Sequence, residues 1–182
     1  WLLARLDVSP EEVADHHERA GDAPRAAAAY AEAARRASRF GDVSATRAHA
    51  EHVLRLTGDP DLRWAAFSAQ DDVLHLESDA GRRRWGLTQM EALAAGRAPE
   101  FALELAWRWC YFLRLSAAAD ERDRARTEGD GALVLAEALG APRWSALCSI
   151  ELAMLHSDHG AAEDARAHAE RAVERARATD DG

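Results

Sequence analysis

The chain has 182 residues, 48% of them hydrophobic, and a formal charge of −9 from 23 basic and 32 acidic side chains. That apolar share is too high for a disordered chain, and the length suffices for one substantial core or a short repeat array. The acidic balance argues against a nucleic-acid surface, which needs a basic stripe to displace counterions; no apolar run nears the ~20 residues that span a bilayer; and two cysteines are too few for a disulfide scaffold, which points to a reducing cytoplasm.

Alanine makes up about a quarter of the residues, and it has the highest helix propensity because it loses no side-chain entropy on folding. The few prolines and glycines lie between alanine-rich segments, so the whole chain reads as all-α. No signal peptide is visible, and an opening at Trp1 rather than Met suggests a piece of a longer protein. The first predicted helix begins at "SPEE", with Ser9 as cap, Pro10 in the first helical position and Glu12 where a capping box wants it. Gly21 ends it. A second runs from Pro24 to Phe40 and stops at Gly41; a third runs from Val43 to Leu56 and stops at Gly58. Asp59 caps a fourth, from Pro60 to Glu77. The fifth covers Arg82 to Ala95 and stops at Gly96. The sixth covers Pro99 to Ser116, the seventh Asp120 to Leu139 before Gly140, the eighth Pro142 to the residues before Gly160, and the ninth Ala162 to Ala178. The loops are short, so consecutive helices should be antiparallel neighbours.

One spacing recurs. Ala26, Tyr30 and Ala33 lie five, nine and twelve residues after Gly21. The same offsets give Thr46, Ala50 and Val53 after Gly41; Gly86, Met90 and Leu93 after Gly81; Ala125, Gly129 and Ala132 after Asp120; and Ala165, Ala169 and Ala172 after Gly160. Steps of four and three keep these positions on one helix face. Small residues there let a paired helix approach closely, and Tyr30 or Met90 fills a neighbour's groove. The anchors at 41, 81, 120 and 160 are 40, 39 and 40 residues apart, a beat of two helices per unit. That predicts a right-handed α-solenoid of about nine helices spanning residues 1–182 as one domain.

The stretch "AGDAPRAAAAYAEAARRA" resembles the second half of a tetratricopeptide repeat, with Gly21, Asp22, Ala26, Tyr30 and Ala33 on the motif's turn and packing positions. Gly160, Ala165, Ala169 and Ala172 match with Ala in place of the aromatic, although the beat exceeds the ~34 residues of the standard motif. Longer Ala/Arg-rich repeats of this kind are similar to the helical sensor regions of large bacterial ATP-dependent LuxR-type transcriptional regulators and ATPase-linked cyclases. "LLARLDVSPEEVADHHERAGD" looks like the junction that follows the ATPase in such proteins. The resemblance implies a non-enzymatic scaffold or sensor arm that binds a protein, a peptide or a small effector on a concave face.

No complete catalytic or metal constellation is legible. His16 and His17 point to different sides of a helix. His49 and His52, like His156 and His159, share a face but lack a third and fourth ligand. Cys110 and Cys148 fall on equivalent helices of adjacent repeats and read as small apolar core residues. The cluster Arg82, Arg83, Arg84 reads as the solvated start of a helix, although cations there oppose the helix dipole. The unusual stretch is "LAWRWCYFLRL", apolar on more than one face, which reads either as a well-packed central repeat or as an aromatic patch in a binding groove. Its Trp107, Arg108, Trp109, Tyr111 and Arg114 are the candidate partner- or ligand-binding residues, since Trp, Tyr and Arg often anchor interfaces. No cofactor, nucleic-acid partner or membrane is expected; self-association is the alternative function, and an enzyme with a His- or Cys-based site ranks below it.

Overall fold

In the computed structural model, residues 9–74, 79–116 and 118–180 are described, and they form nine α-helices with no strand. The helices are α1 (Pro10–Arg19), α2 (Ala23–Arg39), α3 (Val43–Leu56), α4 (Pro60–Leu74), α5 (Ala80–Ala94), α6 (Pro99–Arg114), α7 (Ala119–Ala138), α8 (Pro142–Asp158) and α9 (Ala162–Asp180). The predicted end of the fourth helix at Glu77, and the whole of the junction segment before Ser9, lie outside the described residues.

The turns explain the punctuation. Ser9 and Glu12 close the capping box of α1, with the Ser9 amide donating to Glu12 and the Glu12 amide to Ser9 Oγ. Gly21 sits at φ +76°, a left-handed conformation that costs glycine nothing and lets the chain reverse in three residues. The Asp22 amide then closes the turn on the His17 carbonyl at 2.9 Å. The same closure recurs three times, from Asp42 to Ala37, Ala141 to Ala136 and Ala161 to His156. In the first two turns the residue after glycine does double duty: the Asp22 carboxylate accepts from the Arg25 amide and Asp42 from the Ala45 amide, capping the next helix. A Gly-Asp pair is therefore the stop of one helix and the start of the next. The last two turns carry alanine instead, so Ala141 gives α8 no side-chain cap.

Two anchors behave differently from the sequence reading. Gly58 is not left-handed; α3 ends through an extended Thr57, and Asp59 caps α4 by accepting from the Asp61 and Leu62 amides. Gly81 does not precede the fifth helix but lies in its first turn, because Asp79 caps it by accepting from the Arg82 amide.

The contacts divide the chain into two units, Trp1–Leu93 and Ala94–Gly182. In the first, α1 packs on α2, α2 on α3 and α3 on α4, and α2 also reaches α4. In the second, α6 packs on α7, α7 on α8 and α8 on α9, and α6 also reaches α8. Each unit is thus a stack of antiparallel helix hairpins with solenoid-like packing. The α2–α4 contact gives α2 the place that α6 holds relative to α8. The helix with the clearest repeat motif thus sits in the layer opposite α3, so the motifs at Gly21 and Gly41 fall on successive helices rather than on successive repeats.

The repeated face is buried, as its spacing demands. Ala26, Tyr30 and Ala33 are buried, as are Thr46, Ala50 and Val53, and Ala125, Gly129 and Ala132. In α5, Met90 is buried and Gly86 and Leu93 are half-buried; in α9, Ala172 is buried, Ala165 half-buried and Ala169 exposed. Each buried methyl(ene) contributes only about 0.8 kcal/mol, so an alanine core gains chiefly by drawing helix backbones together, where many weak dispersion contacts add up. Tyr30 fills the remaining space in the first unit and ends in a polar rim. Its hydroxyl donates to Asp15 at 2.6 Å and its ring stacks on His52 at 4.3 Å. Burial and then the Asp15 carboxylate push the Tyr30 pKa upward. Arg55 donates to Glu18 at 2.6 Å beside it and holds that carboxyl below its usual range.

The arginine cluster at the start of α5 is solvated only in part: Arg84 is exposed and Arg82 half-buried, but Arg83 is buried. Arg82 donates to Glu51 of α3 at 2.9 Å. Arg83 is 4% exposed and grips Asp71 of α4 with two bonds, 2.6 Å from Nε to Oδ1 and 3.4 Å from Nη2 to Oδ2. Three adjacent residues on a helix sweep most of a turn, so one of the three had to face the core, and Asp71 is placed to receive it.

Candidate functional site

Helix α6 carries the aromatic stretch. Its inner side is Leu103, Cys110 and Leu113, none of them exposed. Trp109 joins this core: it is 3% exposed, meets the Phe112 ring edge-on, and lies 4.3 Å beneath the Arg124 guanidinium of α7. Arg108 and Arg114 are also buried. Arg108 donates to Glu104 one turn back, at 2.9 Å from Nε and 2.8 Å from Nη2. Arg114 crosses to α8, donating to Glu151 at 3.1 Å and Asp158 at 3.2 Å. The two arginines therefore satisfy carboxylates inside the unit, where their charge is already matched.

Trp107 and Tyr111 are placed differently. They are one turn apart and half-buried, and their rings stack at 6.0 Å and 11°. Trp144 of α8 meets Trp107 edge-on at 5.8 Å, a favoured aromatic arrangement. Beyond Trp144 the same helix exposes Ile150 and Met154, each 43% accessible. Trp144, Leu147, Ile150 and Met154 follow one another by three, three and four residues, so they form a stripe, half-buried at its first two positions and exposed at its last two. Ser145, Cys148, Leu152 and Leu155 form the buried side of α8. An apolar stripe thus runs along α8 beside the stacked pair of α6. The Trp107 Nε1–H, although buried, has no hydrogen-bond partner among the described residues, and a buried indole N–H usually finds one.

Of the five candidates from the sequence, then, Trp107 and Tyr111 share this face, whereas Trp109, Arg108 and Arg114 are turned inward. Trp144, Leu147, Ile150 and Met154 were missed. The signal was present: "PRWSALCSIELAML" is apolar on two faces of a helix, and only one can pack on α7 and α9.

The remaining chemistry is quiet. Cys110 and Cys148 are buried free thiols, each pushed up to about 12 by burial, and a protonated thiol is neither a good nucleophile nor a metal ligand. His156 stacks on His168 of α9 at 5.3 Å rather than joining His159, and burial lowers the His168 pKa. Among the described residues no three His, Cys, Asp or Glu side chains are grouped to hold a metal ion, and no helix is long and apolar enough to cross a membrane. The chain matches no family model, no curated protein and no solved structure.

Proposed function

We propose that the chain is a non-enzymatic binding module that takes a peptide segment of a protein partner along the α6–α8 face. The observation that carries this reading is that α8 exposes Ile150 and Met154 on the same helix whose Trp144 meets Trp107 of the stacked Trp107–Tyr111 pair. Rigid aromatic rings next to exposed aliphatic side chains are the composition of interface anchors. The pairs of Arg114 with Glu151 and Asp158 tie α6 to α8 beneath this face. The resemblance to the sensor regions of ATP-dependent bacterial regulators supplies a context. In a longer chain, occupancy of this face would shift the equilibrium between two states of the parent.

The test uses peptides selected from a random displayed library against the whole chain. Trp107→Ala is expected to weaken a selected peptide by more than about 30-fold, the size of an interface hot spot. Ile150→Asp on the exposed stripe is expected to do the same without altering the helical circular-dichroism signal. Selected peptides that bind both variants as tightly as the parent would place the binding face elsewhere. Self-association has its own support in the outward strip of Ala169 and Val173 on α9, the latter 51% exposed. A concentration-dependent dimer that Val173→Asp disperses would favour it.

A further inference from the structure

A surface cavity of about 340 Å³ lies where the α7–α8 turn meets α9, lined by Ala136, Glu137, Gly140, Ala141, Ser145 and Arg175 among others. That volume is at the small end of ligand pockets, which run roughly 300–1,000 Å³. The cavity is well away in chain position from the stacked aromatics of α6, and nothing in the binding face accounts for it.

The cavity is built around the start of α8. Ala141 holds the cap position and cannot accept from the helix amides, in contrast to Asp22 and Asp42 in the corresponding turns. Pro142 occupies the first helical position and has no N–H, so the first amides belong to Arg143 and Trp144. Uncapped amides and the dipole make a helix start attractive to anions. A second feature is independent of the helix end. Ser145 lines the cavity and is 2% exposed, and its hydroxyl has no hydrogen-bond partner among the described residues. A buried hydroxyl is rarely left in that state. A third is Arg175 of α9, which donates from Nη2 to Glu137 at 3.2 Å while its buried Nε also lacks a partner. Glu137, the carboxylate in the lining, is thereby matched by Arg175, so the cavity carries no net repulsive charge and the helix dipole of α8 tips it toward an anion.

We propose that this cavity binds an oxyanion, the phosphate or carboxylate group of a small molecule, held by the Arg175 guanidinium, the Ser145 hydroxyl and the amide end of α8. The guanidinium fork suits either planar carboxylate or tetrahedral phosphate oxygens. The anion completes the cap that aspartate supplies in the first two turns. The alanine at position 141 is what leaves room for it.

Titration of the isotope-labelled whole chain with inorganic phosphate, and separately with citrate, tests this by amide NMR against sodium chloride at matched ionic strength. Saturable shifts at Gly140, Ala141 and Ser145 are expected with at least one of the two probes, and which probe binds tighter identifies the headgroup. Ser145→Ala and Arg175→Gln should each weaken binding at least fivefold with the remaining spectrum unchanged. Glu137→Gln should tighten it, because the repelling carboxylate is gone. If Arg175→Gln perturbs the fold, Arg175→Lys keeps the charge, and weakened binding is still expected from loss of the fork. Shifts that chloride reproduces, shifts that map elsewhere, or variants that bind as the parent does would each overturn the proposal. None of these outcomes bears on the peptide face, whose variants lie on α6 and on the outer stripe of α8.

Discussion

Replacing Asp71 by alanine is expected to destabilise the first unit by about 3–5 kcal/mol, the range for removing one partner of a buried ion pair. Asp71 and Arg83 are 4% exposed each and joined through two bonds between α4 and α5. Without the carboxylate, the guanidinium keeps its charge, since an arginine does not deprotonate in a protein, and it stays within a wall that water cannot reach. Domains of this size have a total stability of only about 5–15 kcal/mol, so the variant should unfold at a much lower urea concentration. The pair itself is not worth that amount. Desolvating two charges costs nearly as much as their attraction returns, so the double variant Asp71→Leu with Arg83→Met is expected to recover most or all of the loss. Urea melts of the parent, the two singles and the double close the cycle. A single-variant loss below about 1 kcal/mol would show that the guanidinium finds water. A double variant no better than Asp71→Ala would show that shape, not charge, matters at this contact.

How far the sequence can be read follows from the range over which each signal acts. Helix ends are local: a glycine, a proline and a capping side chain lie within a few residues of the bond they control, and all nine helices were legible from them. The packing face was legible for the same reason, since Ala26, Tyr30 and Ala33, or Ala125, Gly129 and Ala132, share a face by helix geometry alone. What failed depended on a partner distant in sequence. Arg83 reads as a surface residue until Asp71, twelve positions earlier, is seen to face it. Arg114 reads as an anchor for a partner until Glu151 and Asp158, 37 and 44 positions later, claim it. Trp107 and Trp109 are two residues apart and look alike in the sequence. One faces the α8 stripe and the other enters the core under Arg124 because two residues span about 200° of a helix. Helix periodicity could have separated them, but not told which of the two sides was inner. The α8 stripe was overlooked because Trp144, Ile150 and Met154 are interspersed with serines and charges, whereas the α6 aromatics are contiguous.

Two glycines of α7 provide the second large contrast, because the same substitution should have opposite signs two residues apart. Gly131→Ala puts a Cβ into open space on an exposed position, so the higher helix propensity of alanine should stabilise by up to about 1 kcal/mol. Gly129→Ala gains the same propensity but places its Cβ 2.8 Å from Leu152 Cδ2 and 2.9 Å from Cys110 Sγ. Both neighbours are side-chain ends, which on a surface would swing aside. Here Leu152 and Cys110 are fully buried, so each must move into atoms already in contact. Overpacking of this kind costs about 1–3 kcal/mol, more than the propensity returns, and Gly129→Ala should be destabilising on balance while Gly129→Val should be markedly worse. The compensating change follows from the same distances. Cys110→Ala alone should cost stability by leaving a small void, but in the Gly129→Ala background the removed sulfur makes the room that the new methyl needs. The two losses should therefore add to less than their sum, a coupling that thermal melts of the four proteins would measure. Strict additivity would mean that α7 shifts away from α6 as a body, and that the small residue at this repeat position does not hold the two helices close.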